Sequence, residues 1–265
     1  PALTAGNLDD WPGRRKAACM FSVIRTALTL LLATAGLTLG ASVQTQESIT
    51  VAGGKKQTVS YLLYLPEGYQ KKADAKWPLM IFLHGAGERG DDLNRVKVHG
   101  PPKLVEQGKK LPFIIISPQC PRNQRWNDDA LTALLDHACK ELRVDTSRLY
   151  LTGLSMGGYG SWSLGLKLCD RFAAIAPICG GGSFIDTYVA SGARGKALRS
   201  LGVWAFHGAK DTVVPLSESE KMVAALKKFG HPNPKLMVYP EARHDSWTKT
   251  YNNPELYQWF LKHRR

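Results

Sequence analysis

The chain has 265 residues, of which 44% are hydrophobic and 22% are charged. This composition is typical of globular domains and excludes fibrous and intrinsically disordered proteins, because apolar residues recur in blocks from about residue 58 onward. The formal net charge is +13, but the lysines and arginines are spread along the chain without an aromatic-interleaved basic motif. The excess charge therefore predicts a solvated basic surface, and we expect no nucleic-acid partner.

The N-terminal segment has the character of a targeting sequence. Basic residues, among them Arg14 and Arg25, precede an uncharged, leucine-rich run at 26–43. This pattern is typical of a signal peptide, so we expect 1–42 to be a leader, made of upstream residues and a signal peptide, and 43–265 to be a single folded domain. We expect the protein to be exported, periplasmic or secreted, and free of the membrane after leader cleavage. A retained N-terminal membrane anchor is the alternative.

The first elements predicted after the leader are two strands, at 49–51 and 58–65, on either side of Gly53-Gly54. Their alternating character predicts an antiparallel hairpin at the edge of a sheet. From there the pattern changes to short, continuous apolar runs, which are typical of strands buried on both faces. These runs lie at 79–83, 113–116, 149–151, 173–178, 203–206 and 236–239.

Helical patterns lie between the strands. Apolar residues recur at helical spacing from Ala130 to Leu142, after the capping candidates Asn127 and Asp128, and they predict an amphipathic helix. Similar patterns cover 157–168, 217–229 and 254–263. Repeated alternation of strand and helix predicts the α/β fold class, with a mostly parallel, doubly wound sheet and helices on both faces. We expect the glycine-rich segment 180–195 to be a loop over the carboxyl edge of the sheet, possibly with one short helix.

Four cysteines follow the leader: Cys120, Cys139, Cys169 and Cys179. An even number of cysteines in an exported protein permits disulfides. Free buried thiols are the equal alternative, because cysteine also packs well as a small apolar residue. The spacing of these cysteines does not fit a zinc site, and we expect no metal.

The clearest functional motif is Gly153-Leu154-Ser155-Met156-Gly157, which directly follows a predicted strand and directly precedes a helical pattern. A serine in this setting is typical of a nucleophile elbow, where the turn is so tight that a Cβ two residues before or after the serine would clash. The turn exposes the Ser155 hydroxyl at the carboxyl edge of the sheet. It also aims the N-terminus of the next helix at the same point, which favours a developing oxyanion.

A serine nucleophile needs a base. The chain order of such sites is serine, acid, histidine, and four of the seven histidines follow Ser155. His207 precedes any convincing acid, His231 lies on the wrong side of the last strand, and His263 lies in the terminal helix. His244 follows the last strand by a short loop that brings it to the carboxyl edge, so we predict that it is the base.

The predicted acid is Asp211, which lies a few residues after the strand at 203–206. A carboxylate there can accept a hydrogen bond from the far nitrogen of His244, hold its tautomer and stabilise the imidazolium ion. The alternative is that Asp211 only caps the turn before the next helix. The rival acids are Asp186, Glu241 and Asp245.

The loop that follows the strand at 79–83 has the sequence His84-Gly85-Ala86-Gly87. Loops at this place supply the second donor of an oxyanion hole. We therefore predict that the backbone N–H groups of Ala86 and Met156 are the two donors. His84 is predicted to be structural and to hold the loop by hydrogen bonds.

Five segments together carry a family resemblance: LHGAGERG at 83–90, SPQCP at 117–121, GLSMGG at 153–158, PICGGG at 177–182 and HGAKD at 207–211. They resemble the bacterial carboxylesterases that are sometimes labelled predicted peptidases, and they are similar to feruloyl-esterase and polyhydroxybutyrate-depolymerase-like hydrolases. The resemblance covers about 45–265 and implies a bacterial protein. It implies an α/β-hydrolase fold with little or no lid, and an esterase for short-acyl, aryl or carbohydrate-linked esters of the acetyl or feruloyl type.

The predicted reaction is a two-step acyl transfer from an ester to Ser155 and then to water, which requires no metal ion and no cofactor. The expected partner is a small-molecule or polysaccharide-linked ester. Trp126 and Trp247 are candidate substrate contacts, because both are expected in loops at the carboxyl edge; ordinary loop packing is the alternative. Two other functions remain: a serine peptidase with the same triad, and a non-catalytic binding protein on a hydrolase scaffold.

Overall fold

The structure of the protein, a computed structural model, describes residues 43–51 and 57–265. The predicted leader at 1–42 lies outside the described residues, so export and leader cleavage stay predictions. All described residues belong to one compact unit. Within them, no helix is both long enough and apolar enough to cross a membrane.

The centre of the fold is one sheet with the strand order β1-β2-β4-β3-β5-β6-β7-β8. The strands are β1 Gln44–Val51, β2 Gln57–Tyr64, β3 Trp77–Leu83, β4 Ile114–Pro118, β5 Val144–Leu154, β6 Ala174–Ile178, β7 Gly202–Gly208 and β8 Lys235–Tyr239. β1 pairs with β2, and β2 with β4, in antiparallel fashion. All other neighbours are parallel. The predicted, mostly parallel sheet with an antiparallel edge hairpin is confirmed.

Helices cover both faces of the sheet. They are α1 Gly100–Glu106, α2 Asp128–Glu141, α3 Met156–Lys167, α4 Phe184–Ala193, α5 Gly195–Ser200, α6 Ser217–Lys228, α7 Ser246–Asn252 and α8 Pro254–Leu261, with short 3₁₀ helices at Ala86–Glu88 and Leu93–Val98. Alternate residues of β3 enter two separate cores: Leu79, Ile81 and Leu83 pack with α2 to α6, whereas Met80 and Phe82 pack with α1, α7 and α8. The predicted doubly wound arrangement follows from this alternation, because successive side chains of a strand point to opposite faces.

Two strands are longer than the sequence predicted. β1 begins at Gln44 instead of residue 49, and its residues are mostly exposed and polar, so they gave no apolar signal. β5 spans Val144–Leu154 instead of 149–151. Its first half is polar, but Val144 still pairs with Trp77 across a register shift. Apolar runs therefore marked only the buried halves of these strands.

The segment 180–195 contains the short helix that the prediction allowed, but it is more helical than expected: after a loop at 180–183, α4 takes up ten residues and α5 begins at Gly195. Ser183 caps α4 and accepts a hydrogen bond from the amide of Asp186. Phe184 and Tyr188, one helical turn apart, pack on Phe229 with ring centroids 5.1 and 5.6 Å away. The many glycines of this segment concealed a helical pattern that tertiary packing stabilises.

The four cysteines that follow the leader are all free thiols, and three of them are buried. Of the two alternatives left open by the sequence, the structure therefore has the free-thiol form. Burial raises the pKa of Cys120 to about 11, so its thiol is protonated and poorly reactive at neutral pH.

Candidate active site

The candidate nucleophile lies in a strained turn at the carboxyl end of the central strand β5. Ser155 has φ 51° and ψ −115°, which a residue with a side chain adopts only under constraint from its surroundings. A Cβ on Gly157 would lie 1.9 Å from the carbonyl oxygen of Leu83, and a Cβ on Gly153 would lie 2.4 Å from that of Gly157. The two glycines therefore allow the tight turn from β5 to α3, as the motif predicted.

The turn is held from the neighbouring strand β6. The amide of Ser155 donates to the carbonyl oxygen of Ile178 at 3.0 Å and to the Sγ of Cys179 at 3.3 Å. Cys179 itself has φ 40° and is fully buried. Burial raises the pKa of its thiol to about 12, so Cys179 acts here as an uncharged hydrogen-bond acceptor. This contact was not predicted, because a lone cysteine after a strand carries no signal of it.

The structure brings Ser155, His244 and Asp211 together. The Oγ of Ser155 lies 2.9 Å from Nε2 of His244, and Nδ1 of His244 lies 2.7 Å from Oδ2 of Asp211. An ionised carboxylate only accepts hydrogen bonds, so Nδ1 carries a proton and donates it to Asp211. Nε2 is then free to accept the proton of the Ser155 hydroxyl. Serine follows β5, aspartate follows β7 and histidine follows β8, and all three strands end at the same edge of the sheet.

The carboxylate of Asp211 is fully enclosed, with no exposed side-chain area. Its Oδ1 accepts the amides of Val213 and Val214, each at 2.9 Å. Burial alone would raise the pKa of Asp211, but the hydrogen bonds from His244 and from the two amides outweigh it and lower the pKa below its usual value. Asp211 is therefore ionised at neutral pH and fixed in one orientation.

His207, which was not predicted to be the base, lies against the same carboxylate. Its Nε2 is 2.9 Å from the carbonyl oxygen of Val214 and 3.3 Å from Oδ2 of Asp211. Its Nδ1 is 2.8 Å from the hydroxyl of Ser219. The ring is completely buried, so it packs behind Asp211 and cannot reach a substrate.

The loop after β3 is fixed by its own polar side chains. His84 is buried; its Nδ1 donates to the carbonyl oxygen of Gly85, and its Nε2 accepts the amide of Cys120. Burial lowers the pKa of His84, which favours the neutral ring that these two bonds require. The carboxylate of Glu88 accepts the amide of Gly85 at 2.9 Å. These contacts match the structural role expected of His84.

The two predicted oxyanion donors lie beside Ser155 in the same pocket. Met156 is the first residue of α3, and Ala86 is the first residue of the 3₁₀ helix at Ala86–Glu88. The first amides of a helix have no acceptor within it, and the N-terminal end of α3 adds a partial positive charge. Both N–H groups are thus available to an oxygen atom bound next to Ser155.

This pocket has a volume of about 810 Å³, within the range of sites for small molecules. Its apolar part includes Trp126, and its polar part includes two arginines and several hydroxyl groups. The lining consists of Ala86, Arg89, Arg125, Trp126, Ser155, Met156, Tyr159, Gly160, Ser163, Gly181, Gly182 and Ser183. Tyr159 lies one helical turn after Ser155, a spacing from which its position can be predicted. The contribution of 181–183 depends on the unpredicted start of α4.

The two tryptophans that were predicted to contact substrate occupy different places. Trp126 lines the pocket, and its Nε1 donates to the carbonyl oxygen of His84 at 3.2 Å. Trp247 belongs to the first turn of α7 and packs edge-on against the His244 ring at a centroid distance of 5.2 Å. Its ring supports His244, and a substrate contact by Trp247 stays a prediction.

One group of potential metal ligands exists among the residues that the structure describes, and it overlaps this site. Ligand atoms of Cys179, Asp211 and His244 lie within 4.8 Å of one another. Both ring nitrogens of His244 already form hydrogen bonds, and the Cys179 thiol is protonated because burial raises its pKa. The group is therefore arranged for proton transfer from Ser155 and offers a metal ion no ready set of ligands.

A doubly wound sheet with a serine in a strained turn, a histidine and a buried carboxylate at its carboxyl edge defines the α/β-hydrolase class of proteins. Residues 116–254, more than half of the chain, match the family described as phospholipase/carboxylesterase. The chain belongs to this family of carboxylesterase-type hydrolases. The resemblance to carboxylesterases that the five motifs predicted is confirmed.

Individual relatives agree with this assignment. The chain is 28% identical over 213 residues to "Probable feruloyl esterase C" of Aspergillus terreus, covering 74% of this chain and 73% of that protein. It is 26% identical over 154 residues to a bifunctional acetylxylan esterase/xylanase of Neocallimastix patriciarum, covering 54% of this chain and 20% of the relative. A crystal structure of a thermostable esterase is 28% identical, with a TM-score of 0.67, covering 84% of this chain and 64% of that one. The chain thus spans a fifth of the bifunctional relative and 64% of the esterase of known structure.

Proposed function

We propose that the protein is a serine carboxylesterase in which Ser155, His244 and Asp211 form the catalytic triad. The observation that carries this proposal is the continuous chain of two hydrogen bonds, 2.9 and 2.7 Å long, from the Ser155 hydroxyl through His244 to Asp211. This geometry matches the roles of nucleophile, general base and orienting acid. Membership of the phospholipase/carboxylesterase family supports the same chemistry.

The reaction proceeds by acyl transfer. The Oγ of Ser155 attacks the ester carbonyl carbon while Nε2 of His244 takes its proton, and the carbonyl oxygen becomes an oxyanion that the amides of Ala86 and Met156 stabilise. The intermediate collapses, the C–O bond to the alcohol breaks, and His244 gives its proton to the leaving oxygen. Water then attacks the acyl-serine in the same way, releasing the carboxylic acid and restoring Ser155.

We propose that the substrates are short-acyl, aryl or carbohydrate-linked esters of the acetyl or feruloyl type. The names of two relatives, an acetylxylan esterase/xylanase and a probable feruloyl esterase, support this class. The pocket supports it as well, since a volume of about 810 Å³ accommodates an aromatic acyl group beside Trp126.

The test is the initial rate on p-nitrophenyl acetate, methyl ferulate, acetylated xylan and a peptide anilide, with the wild type and the Ser155→Ala variant. We expect the wild type to hydrolyse esters and the variant to lose about 10⁴-fold or more in kcat, because removal of one member of a triad disables the whole unit. The matched control is Ser191→Ala. Ser191 lies on α4, outside the pocket lining, and its hydroxyl donates to the carbonyl oxygen of Tyr188, so this variant should retain full activity.

The melting temperature of each variant separates loss of chemistry from loss of fold. An alanine at position 155 adopts the same strained backbone as serine, so the melting temperature should change by only a few degrees. Near-normal ester turnover by Ser155→Ala would exclude the proposed mechanism. Turnover confined to the anilide would make the protein a peptidase with the same triad.

A further inference from the structure

One wall of the pocket is basic. Arg89 and Arg125 both line it, next to Ala86 and Trp126, and neither arginine forms an ion pair with any residue that the structure describes. We propose that this wall binds a carboxylate group carried by the substrate, so that the protein prefers esters whose acyl or alcohol part is anionic over their neutral counterparts. This inference rests on the proposed function, because it specifies the substrate class of the same pocket.

Arg89 is held in place by backbone groups instead of a charge partner. Its Nε donates to the carbonyl oxygen of Ala86 at 2.9 Å, and its Nη1 donates to that of Gln124 at 3.1 Å. The nearest acid in sequence, Glu88, is engaged elsewhere, since its carboxylate accepts the amide of Gly85 and lies 3.8 Å from His99. The guanidinium is thus fixed with its charge uncompensated and with Nη2 left to donate. Such preorganisation strengthens binding of an anion, because little entropy is lost when the ligand arrives.

Arg125 adds a second positive charge from the loop that Arg89 holds. It is exposed, and no hydrogen bond to it is present among the described residues. Two guanidinium groups beside one cavity raise the local concentration of anionic ligands. They also supply planar donor pairs that match the two oxygens of a carboxylate.

Two acids lie behind hydroxyl groups that also line the pocket. The hydroxyl of Tyr159 donates to Glu218 at 3.4 Å, and the hydroxyl of Ser163 donates to Asp128 at 2.7 Å. Neither Glu218 nor Asp128 lines the pocket itself, so Arg89 and Arg125 are the charged residues of its described lining.

The experiment uses two pairs of substrates, each with one anionic ester and one neutral counterpart. In the first pair, 4-acetoxybenzoate carries a charge on the alcohol side and its methyl ester is neutral. In the second pair, the p-nitrophenyl monoester of glutaric acid carries a charge on the acyl side and p-nitrophenyl valerate is neutral. For each pair, the ratio of kcat/KM for the anionic to the neutral ester is measured in the wild type and in Arg125→Gln. Comparing ratios between proteins cancels the intrinsic reactivity of each ester.

We expect the ratio of at least one pair to fall about three-fold or more in Arg125→Gln, in line with the strength of an exposed ion pair. Arg125→Lys should restore most of it. Arg122→Gln, which removes an exposed arginine of the same loop outside the pocket lining, should leave the ratio unchanged. In the wild type, the ratio should also fall between 10 mM and 1 M salt, as the screening length drops from about 30 to about 3 Å. An unchanged ratio in Arg125→Gln for both pairs would overturn the inference.

Failure of the proposed function would be visible separately, as absence of turnover of all four esters. The anion site is then tested by calorimetry on Ser155→Ala, with the non-hydrolysable 4-acetamidobenzoate and its methyl ester as ligands. We expect tighter binding of the anion, and loss of that difference in the Ser155→Ala/Arg125→Gln double variant. Equal affinity for the two ligands in Ser155→Ala would overturn the inference whatever the enzyme hydrolyses.

Discussion

Replacement of Asp211 by asparagine tests the proposed triad most sharply, because the structure dictates how the new amide must lie. Oδ1 of Asp211 accepts two backbone amides, from Val213 and Val214. The introduced asparagine would keep its oxygen there, because the reverse orientation would set an NH₂ group against two N–H donors and lose two hydrogen bonds, about 2 kcal/mol in total. Its NH₂ group would then point at Nδ1 of His244.

In that arrangement Nδ1 of His244 has to accept a hydrogen bond, so the proton of the neutral ring moves to Nε2. Nε2 faces the Ser155 hydroxyl at 2.9 Å and can no longer take its proton. A wrong tautomer of this kind lowers kcat by about 10⁴-fold in a serine triad, which corresponds to about 5.5 kcal/mol in the activation free energy. The fold should persist, because the side chain keeps its shape and its two amide donors.

The assay is kcat for p-nitrophenyl acetate hydrolysis in Asp211→Asn, with the urea midpoint measured in parallel. The control is Asp245→Asn, since Asp245 adjoins His244 but is exposed and should affect kcat by less than about three-fold. A loss of less than about ten-fold in a folded Asp211→Asn protein would refute this reasoning. A large loss in Asp245→Asn would move the acid role to that residue.

Three further changes follow from contacts described above. Gly157→Ala should abolish a soluble fold or lower the urea midpoint strongly, because the new Cβ would lie 1.9 Å from the carbonyl oxygen of Leu83. Gly87→Ala is the control: a Cβ there has nothing within 4 Å, so the urea midpoint should stay unchanged. The free energy of unfolding should fall as pH decreases below about 6.5. Burial lowers the pKa of His84 in the folded state, so in this range the unfolded state binds more protons than the folded state. Urea titrations from about pH 8 to about pH 5 check the sign. Trp126→Ala should raise KM for methyl ferulate more than for p-nitrophenyl acetate, because the indole ring that is removed would contact an aromatic acyl group more extensively than an acetyl group.

The parts of the fold that the sequence predicted well are those where burial leaves a periodic pattern. The core strands and α2 are of this kind, and the cap of α2 at Asn127 is observed, with its side chain accepting two amides. The first half of β1 was missed because it is polar and mostly exposed. The first half of β5 was missed because most of its residues are polar, although Val144 is buried. The extent of helix α4 was underestimated because the helix packs on Phe229, which is about forty residues away in the sequence.

The candidate site likewise has one part that the sequence predicted and another that it did not. Ser155, Asp211 and His244 were predictable because chain order and strand ends restrict where such residues can lie. The cysteine behind Ser155, the second histidine behind Asp211 and the basic wall of the pocket were not predicted. Each of these depends on which loops meet at the sheet edge, and hence on side-chain directions that no local spacing encodes.

The order of the strands gives the two halves of the site unequal resistance to local opening. Ser155 follows β5, which has strands on both sides and lies between two cores, whereas His244 follows β8, the last strand of the sheet, whose residues are exposed or only partly buried. Fluctuations that free an edge strand require far less energy than those that disrupt the centre of a domain. We therefore expect His244 to leave its place in fluctuations that leave the turn at Ser155 intact. Under mild denaturing stress, we expect the contact between His244 and Ser155 to be lost first, while most of the molecule remains native.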